Sequence, residues 1–210
     1  VVLAYNLQNN VTVYGNAQSS AFNWVAADNP DVSGESLAPQ ASGTISDNLV
    51  NLSGTDQVVV YTVTPTGTNG CTGDPFTVSV TVHSQPAGVD DAAETCSDVG
   101  AFYNLQNNII SLGNGQNASF LWVAADNPDV TGESTTPKST VVINDVLTNL
   151  SGTDKDVVYT VTPTGTNGCQ GDPFTVTITV KSEPVGINDT DAACSSIPLA
   201  YDLQDNLTSL

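Results

Sequence analysis

The chain has 210 residues, of which 22 are acidic and three are lysine or arginine, giving a formal net charge of −19. A surface of that sign repels phosphate backbones and anionic headgroups, which excludes nucleic-acid binding and peripheral membrane binding as functions. No run approaches the ~18 consecutive apolar residues that direct membrane insertion by a helix requires.

The sequence repeats. Trp24 and Trp122, Tyr61 and Tyr159, Cys71 and Cys169, and Cys96 and Cys194 all stand 98 positions apart, with no insertion between them. A third copy begins where Leu199-Ala200-Tyr201-Asp202-Leu203-Gln204 restates Leu3-Ala4-Tyr5-Asn6-Leu7-Gln8. Both ends then fall inside a repeat, and the chain reads as part of a longer array. A unit of this length is enough for one domain with its own core. The expected organisation is a first repeat over 1–84, a linker over 85–95, a second repeat over 96–182, a linker over 183–193 and the start of a third over 194–210.

Within each repeat the elements can be taken in chain order. Using the second copy, short strands are expected near 103–106 and 108–111. A strand carrying Phe120 and Trp122 follows over 119–125, and another lies over 141–147. Next comes 157–162, repeating 59–64, then a turn rich in Gly, Asn and Pro. The last strand, 174–180, repeats 76–82 and alternates apolar residues with threonine. No segment shows the 3.6-residue apolar period of an amphipathic helix. Six or seven strands at roughly 10-residue spacing predict an all-β fold of tandem two-sheet sandwiches. Leu121 becomes Asn23 in the first copy while Phe120 and Trp122 persist as Phe22 and Trp24, so the Phe and Trp are expected inside. Tyr61, Tyr159, Phe76 and Phe174 join them as expected core, because they too recur in phase.

The Trp strand with Asp28-Asn29-Pro30, the run Val60-Tyr61-Thr62-Val63-Thr64-Pro65 with Gly70-Cys71-Thr72-Gly73-Asp74-Pro75, and the closing strand Phe76 to Val82 resemble PKD-like, immunoglobulin-like repeats. Such repeats build giant cell-surface adhesins of Bacteroidota, including gliding-motility adhesins exported by type IX secretion. The resemblance implies immunoglobulin-like β-sandwiches in an extracellular, cell-surface protein. The Gly-Asp-Gly turn soon after the Trp that marks PKD domains is absent, so the branch is divergent.

Four cysteines in phase, without Cys-x-x-Cys spacing, suit disulfides in an oxidising compartment better than a metal site. Two pairings respect the repeat. Cys96 with Cys169 leaves Cys71 and Cys194 to partners outside the sequence, whereas Cys71 with Cys96 and Cys169 with Cys194 leaves none over. The first is preferred, because the first strand of such a sandwich begins beside the tip of the last hairpin. It would close a 73-residue loop and stabilise the module by about 4 kcal/mol.

Catalysis finds no constellation. The single histidine, His83, is replaced by Lys181 in the second copy, and no triad or dyad can be assembled. Exposed aromatic platforms for sugars are also wanting, since only Tyr14 and Phe102 fall outside the repeat phase. Calcium is the one cofactor with a positive argument. Asp28, Asp31 and Glu35, with Asp90 and Asp91 of the following linker, form one candidate oxygen-ligand set, and Asp126, Asp129, Glu133, Asp189 and Asp191 form its twin. Ordinary Asx-Pro turns explain the same residues without a metal. The function expected is a non-enzymatic structural repeat that gives a surface stalk or filament reach, its partners being neighbouring repeats of the same chain. A module that grips glycans or proteins, or that self-associates with like chains in a filament, is the alternative.

Overall fold

The computed structural model describes residues 4–208. Residues 1–3 and 209–210, which open the expected first segment and close the third, lie outside the described residues. The chain divides into two units, one through Gln85 and one from Pro86.

Unit 1 contains helix α1 (Leu7–Tyr14) and strands β1 (Ser20–Ala26), β2 (Gln57–Gly67) and β3 (Phe76–Val82), which form an antiparallel sheet in the order β1-β2-β3. Val-Tyr-Thr alternation drives this sheet, because β-branched and aromatic side chains fit a half-buried pleated surface. The opposing layer is made of two-residue strands: Tyr5–Asn6 pairs with Thr44–Ile45, and Val32–Ser33 with Val50–Asn51.

Unit 2 repeats the plan with β4 (Asp91–Cys96), α2 (Leu105–Ser111), β5 (Ala118–Ala124), β6 (Val146–Asn149), β7 (Lys155–Gly165) and β8 (Phe174–Lys181). Its main sheet runs β5-β7-β8-β4, the last strand parallel to its neighbour. β6 lies between Val99–Gly100 and Val130–Thr131 in the opposing layer. The registers of the two units are the same: Trp24 faces Val63 as Trp122 faces Val161, and Tyr61 faces Val78 as Tyr159 faces Val176. The fold is all-β, built of tandem immunoglobulin-like sandwich modules on a 98-residue repeat.

Each unit has its own core. In unit 2, Phe120, Trp122, Tyr159, Val161, Phe174 and Ile178 of the main sheet pack against Leu105, Ile109, Ile143 and Leu147 of the other layer. Trp122 is 2% exposed and Leu121 between the two inward rings is 52% exposed, as strand alternation requires. Trp24, Phe22 and Tyr61 are buried likewise in unit 1. Phe76 differs from its twin. Phe174 is buried, its ring lying so close over Gly88 that a Cβ there would sit 2.3 Å from it, whereas Phe76 is only half-buried.

Two expectations are corrected. The strands expected near 103–106 and 108–111 are mostly helix. Asn6 and Asn104 cap the two helices, each side chain accepting a backbone N–H in the first turn, and Leu105 and Ile109 supply one apolar stripe one turn apart. Residues 91–95, expected as linker, are strand β4. Asp-Ala-Ala-Glu-Thr-Cys has weak strand propensity, and charged residues of this kind are tolerated on a sheet edge.

Candidate functional site

The recurring acidic loops are the candidate site shared by the two copies. In unit 2 the loop after β5 is organised by Asn127, whose side-chain oxygen accepts the Asp129 N–H at 3.0 Å and whose amide donates to the Asp156 carbonyl at 2.9 Å. Glu133 accepts the Asn127 N–H at 3.2 Å. Gly132 sits at φ +97°, and a Cβ there would fall 2.1 Å from the Val146 carbonyl oxygen, so only glycine fits. Lys155 holds the Asp129 carboxylate at 2.7 Å. Unit 1 repeats the loop's internal bonds through Asn29, Asp31, Glu35 and Gly34. Persistence of this loop between copies therefore follows from its own hydrogen bonds and backbone.

The calcium sets do not assemble. Asp90 accepts the Thr175 N–H at 2.7 Å and Asp91 accepts the Tyr103 hydroxyl at 2.6 Å, both beside the start of β8. Asp126, Asp129 and Glu133, of the second set, belong to the loop around Asp156 and Val158. Asp189 accepts from Tyr201 and the Thr190 N–H, and Asp191 from the Ala192 N–H. Among the described residues no group of three or more His, Cys, Asp or Glu is arranged to hold a metal ion.

The preferred disulfide is also corrected. All four cysteines are free. β4 runs parallel to β8 with Cys96 opposite Lys181, the last residue of β8, while Cys169 lies in the hairpin tip before Phe174, the first. The two are separated by the strand's length, about 23 Å at ~3.3 Å per residue, against the ~7 Å limit between Cα atoms for a disulfide. The first strand does start beside the hairpin tip, but Cys96 ends that strand. The melting temperature is accordingly expected to be unchanged by dithiothreitol, and unchanged by excess EDTA or millimolar calcium; differential scanning calorimetry checks all three.

Three polar sites carry the module and were not singled out by motif. Asp145 accepts the Ser134 N–H at 2.8 Å, the Ser134 hydroxyl at 2.8 Å and the Tyr159 hydroxyl at 3.0 Å, and Asp47 does the same with Ser36 and Tyr61. Asn149 is buried and ties the turn at Thr153 to the end of β8, donating to the Thr153 and Val180 carbonyls and accepting from Ser151. Asn51 is its twin. Asp56 and Asp154 each accept the backbone N–H of a serine, Ser84 or Ser182, and meet a cationic position, His83 or Lys181. That backbone hydrogen bond, helped by the neighbouring side chain, holds both carboxyls below the usual range. The one signal that could have found all three is their exact 98-residue recurrence.

Burial, reinforced by the adjacent carboxylates, pushes the Tyr61 and Tyr159 phenols well above 10, and Tyr103 up to about 12 beside Asp91. A folded-state value raised above the unfolded one means the unfolded chain loses these protons first, so their contribution is fully present below about pH 10 and drains away above it. The melting temperature is expected to fall steadily above about pH 10, and Tyr159→Phe to flatten the fall for unit 2, measured by calorimetry against pH.

Among solved structures, a chicken CNTN1 crystal structure of domains FN1–FN3 is 10% identical with a TM-score of 0.31, covering 80% of this chain and 59% of that one. A Drosophila N-cadherin EC1–3 structure is 13% identical with a TM-score of 0.26, covering 79% and 56%. The chain thus spans less than two thirds of either structure. No curated protein matches. The PKD-like domain family matches twice, over residues 1–86 and 93–184. With two copies in one phase, each folded as a sandwich around its own Trp-Tyr core, this chain belongs to the PKD-like domain family.

Proposed function

We propose that the chain is a non-enzymatic, load-bearing repeat segment of an extracellular surface protein, giving a stalk or adhesin reach and mechanical strength. The observation that carries this reading is the pairing of β4 with β8. These are the first and last strands of the unit 2 sandwich, and they run parallel over six positions, from Asp91 opposite Val176 to Cys96 opposite Lys181. Tension arriving ahead of β4 and leaving after β8 pulls the two strands along their own axes in opposite directions. The hydrogen bonds of a parallel ladder are evenly spaced, so they share that load in shear instead of opening one at a time.

Family membership supports the reading, and so does the self-contained bonding of the recurring loops. Among the described residues no helix is long and apolar enough to cross a membrane. Cell-surface adhesins of the gliding-motility kind, exported by type IX secretion in Bacteroidota, are the setting the sequence resemblance favours, and neighbouring repeats are the partners.

Single-molecule stretching of the chain from its two ends tests the proposal. Unit 2 should unfold in one high-force event, and Ala92→Pro with Ala93→Pro, which strips ladder donors from β4, should lower that force severalfold. Equal forces in the two chains would overturn it.

A further inference from the structure

We propose that unit 2 carries a binding site for a neutral, pyranose-based glycan, in the groove between Phe102 and the polar side of α2. The groove has a volume of about 380 Å³ and is lined by Asp91, Phe102, Tyr103, Asn107, Ser111 and Leu112, among others. It is an open groove, its volume at the small end of the range for ligand pockets, roughly 300–1,000 Å³.

Burial does not account for Phe102. Its side chain is 74% exposed, so it forfeits the burial that an aromatic ring usually brings. Its backbone is at φ +41°, a conformation that bulky residues rarely adopt and that concentrates at ligand sites. The repeat does not require it either, because Ala4 and Ala200 hold the same place in the other copies. The ring lies over Gly100, where a Cβ would come within 2.6 Å of its Cε2 atom.

The other aromatic outside the repeat phase points the same way. Tyr14, 82% exposed, stands 98 positions before Leu112, which lines this groove.

The other lining residues carry the chemistry of hydroxyl recognition. Asn108 is buried and fully used, exchanging hydrogen bonds with both backbone groups of Val89 at 2.9 and 3.0 Å and donating to the Tyr103 hydroxyl at 2.8 Å. Tyr103 in turn fixes Asp91. This chain of bonds holds a carboxylate in the wall, while the exposed Asn107 amide and Ser111 hydroxyl lie on the same rim. An aromatic face attracts the partly positive C–H face of a pyranose through its quadrupole, and amide, hydroxyl and carboxylate groups match ring hydroxyls. The net charge of −19 selects a neutral sugar over an acidic one.

The test is saturation-transfer NMR of the 210-residue chain with cellohexaose, laminarihexaose, mannohexaose and xylohexaose at millimolar concentration. At least one should receive saturation, and Phe102→Gly should weaken its binding roughly tenfold, the loss of one stacking contact. Because glycine tolerates the left-handed backbone, the same variant should melt at or above the parent temperature, which separates lost binding from lost folding. The proposal is overturned if none of the four binds or if Phe102→Gly binds as the parent does.

Discussion

Replacing Trp122 with alanine should destabilise unit 2 by about 3–5 kcal/mol, the range for truncating a large aromatic in a packed core. The indole is 2% exposed, stacks edge-on against Tyr159 with ring centroids 5.6 Å apart, and donates its N–H to the Thr140 carbonyl at 3.0 Å. Truncation leaves a cavity at the centre of the sheet, an orphaned ring in Tyr159 and a carbonyl without its donor. For a module of about 100 residues that loss corresponds to a fall in melting temperature of roughly 15–30 °C. Calorimetry should show the unit 2 transition moving by this amount while the unit 1 transition, centred on Trp24 and Tyr61, keeps its place. Trp122→Phe, which keeps much of the volume, should cost far less.

Asp145→Ala should follow at about 2–4 kcal/mol, for a different reason. Asp145 collects three donors, two from Ser134 and one from Tyr159, and its removal strands the Tyr159 hydroxyl inside the module. The cost is the desolvation of donors left unpaired more than the loss of the bonds themselves. A double-mutant cycle measured by urea denaturation separates the two: in a Tyr159→Phe background the Asp145→Ala change should cost markedly less, because the hydroxyl that would be stranded is already gone. Equal costs in both backgrounds would mean that the carboxylate acts only on the Ser134 loop.

What was legible in the sequence follows from what local pattern can express. The long strands were readable, because threonine alternating with valine and isoleucine in 174–180 has only one inward face. Trp122 and Tyr159 were readable as core because both recur in phase. Helix α2 was not, since its stripe is only Leu105 and Ile109, too short for a period to emerge, and its cap is a single asparagine. β4 was missed because its outward charges and small residues look like a linker, and missing it displaced Cys96 by the length of a strand. The Asp145 site joins residues 11 and 14 positions apart and the Asn149 bond to Val180 spans 31, separations that no contiguous motif encodes, although Asn149 also bonds Ser151 and Thr153 within one short run. The acidic loop was read correctly as recurring, yet recurrence reflected Gly132 and Asn127 holding the loop's own backbone. The calcium reading took the same residues for a shared ligand set.

The shared register of the two units has a consequence for how the chain is made. Since Tyr61 meets Val78 as Tyr159 meets Val176, a strand from one copy is a near-perfect counterfeit of its twin in the other. Only proximity favours the right partner: β7 and β8 are joined by a short hairpin, and reaching across a whole repeat instead costs about 2 kcal/mol more in loop closure. A denatured array released all at once would therefore sort its strands poorly and accumulate swapped forms. Emergence from the ribosome or a secretion pore, one copy at a time, lets each module close before its double appears, so the order of delivery completes what sequence alone leaves ambiguous.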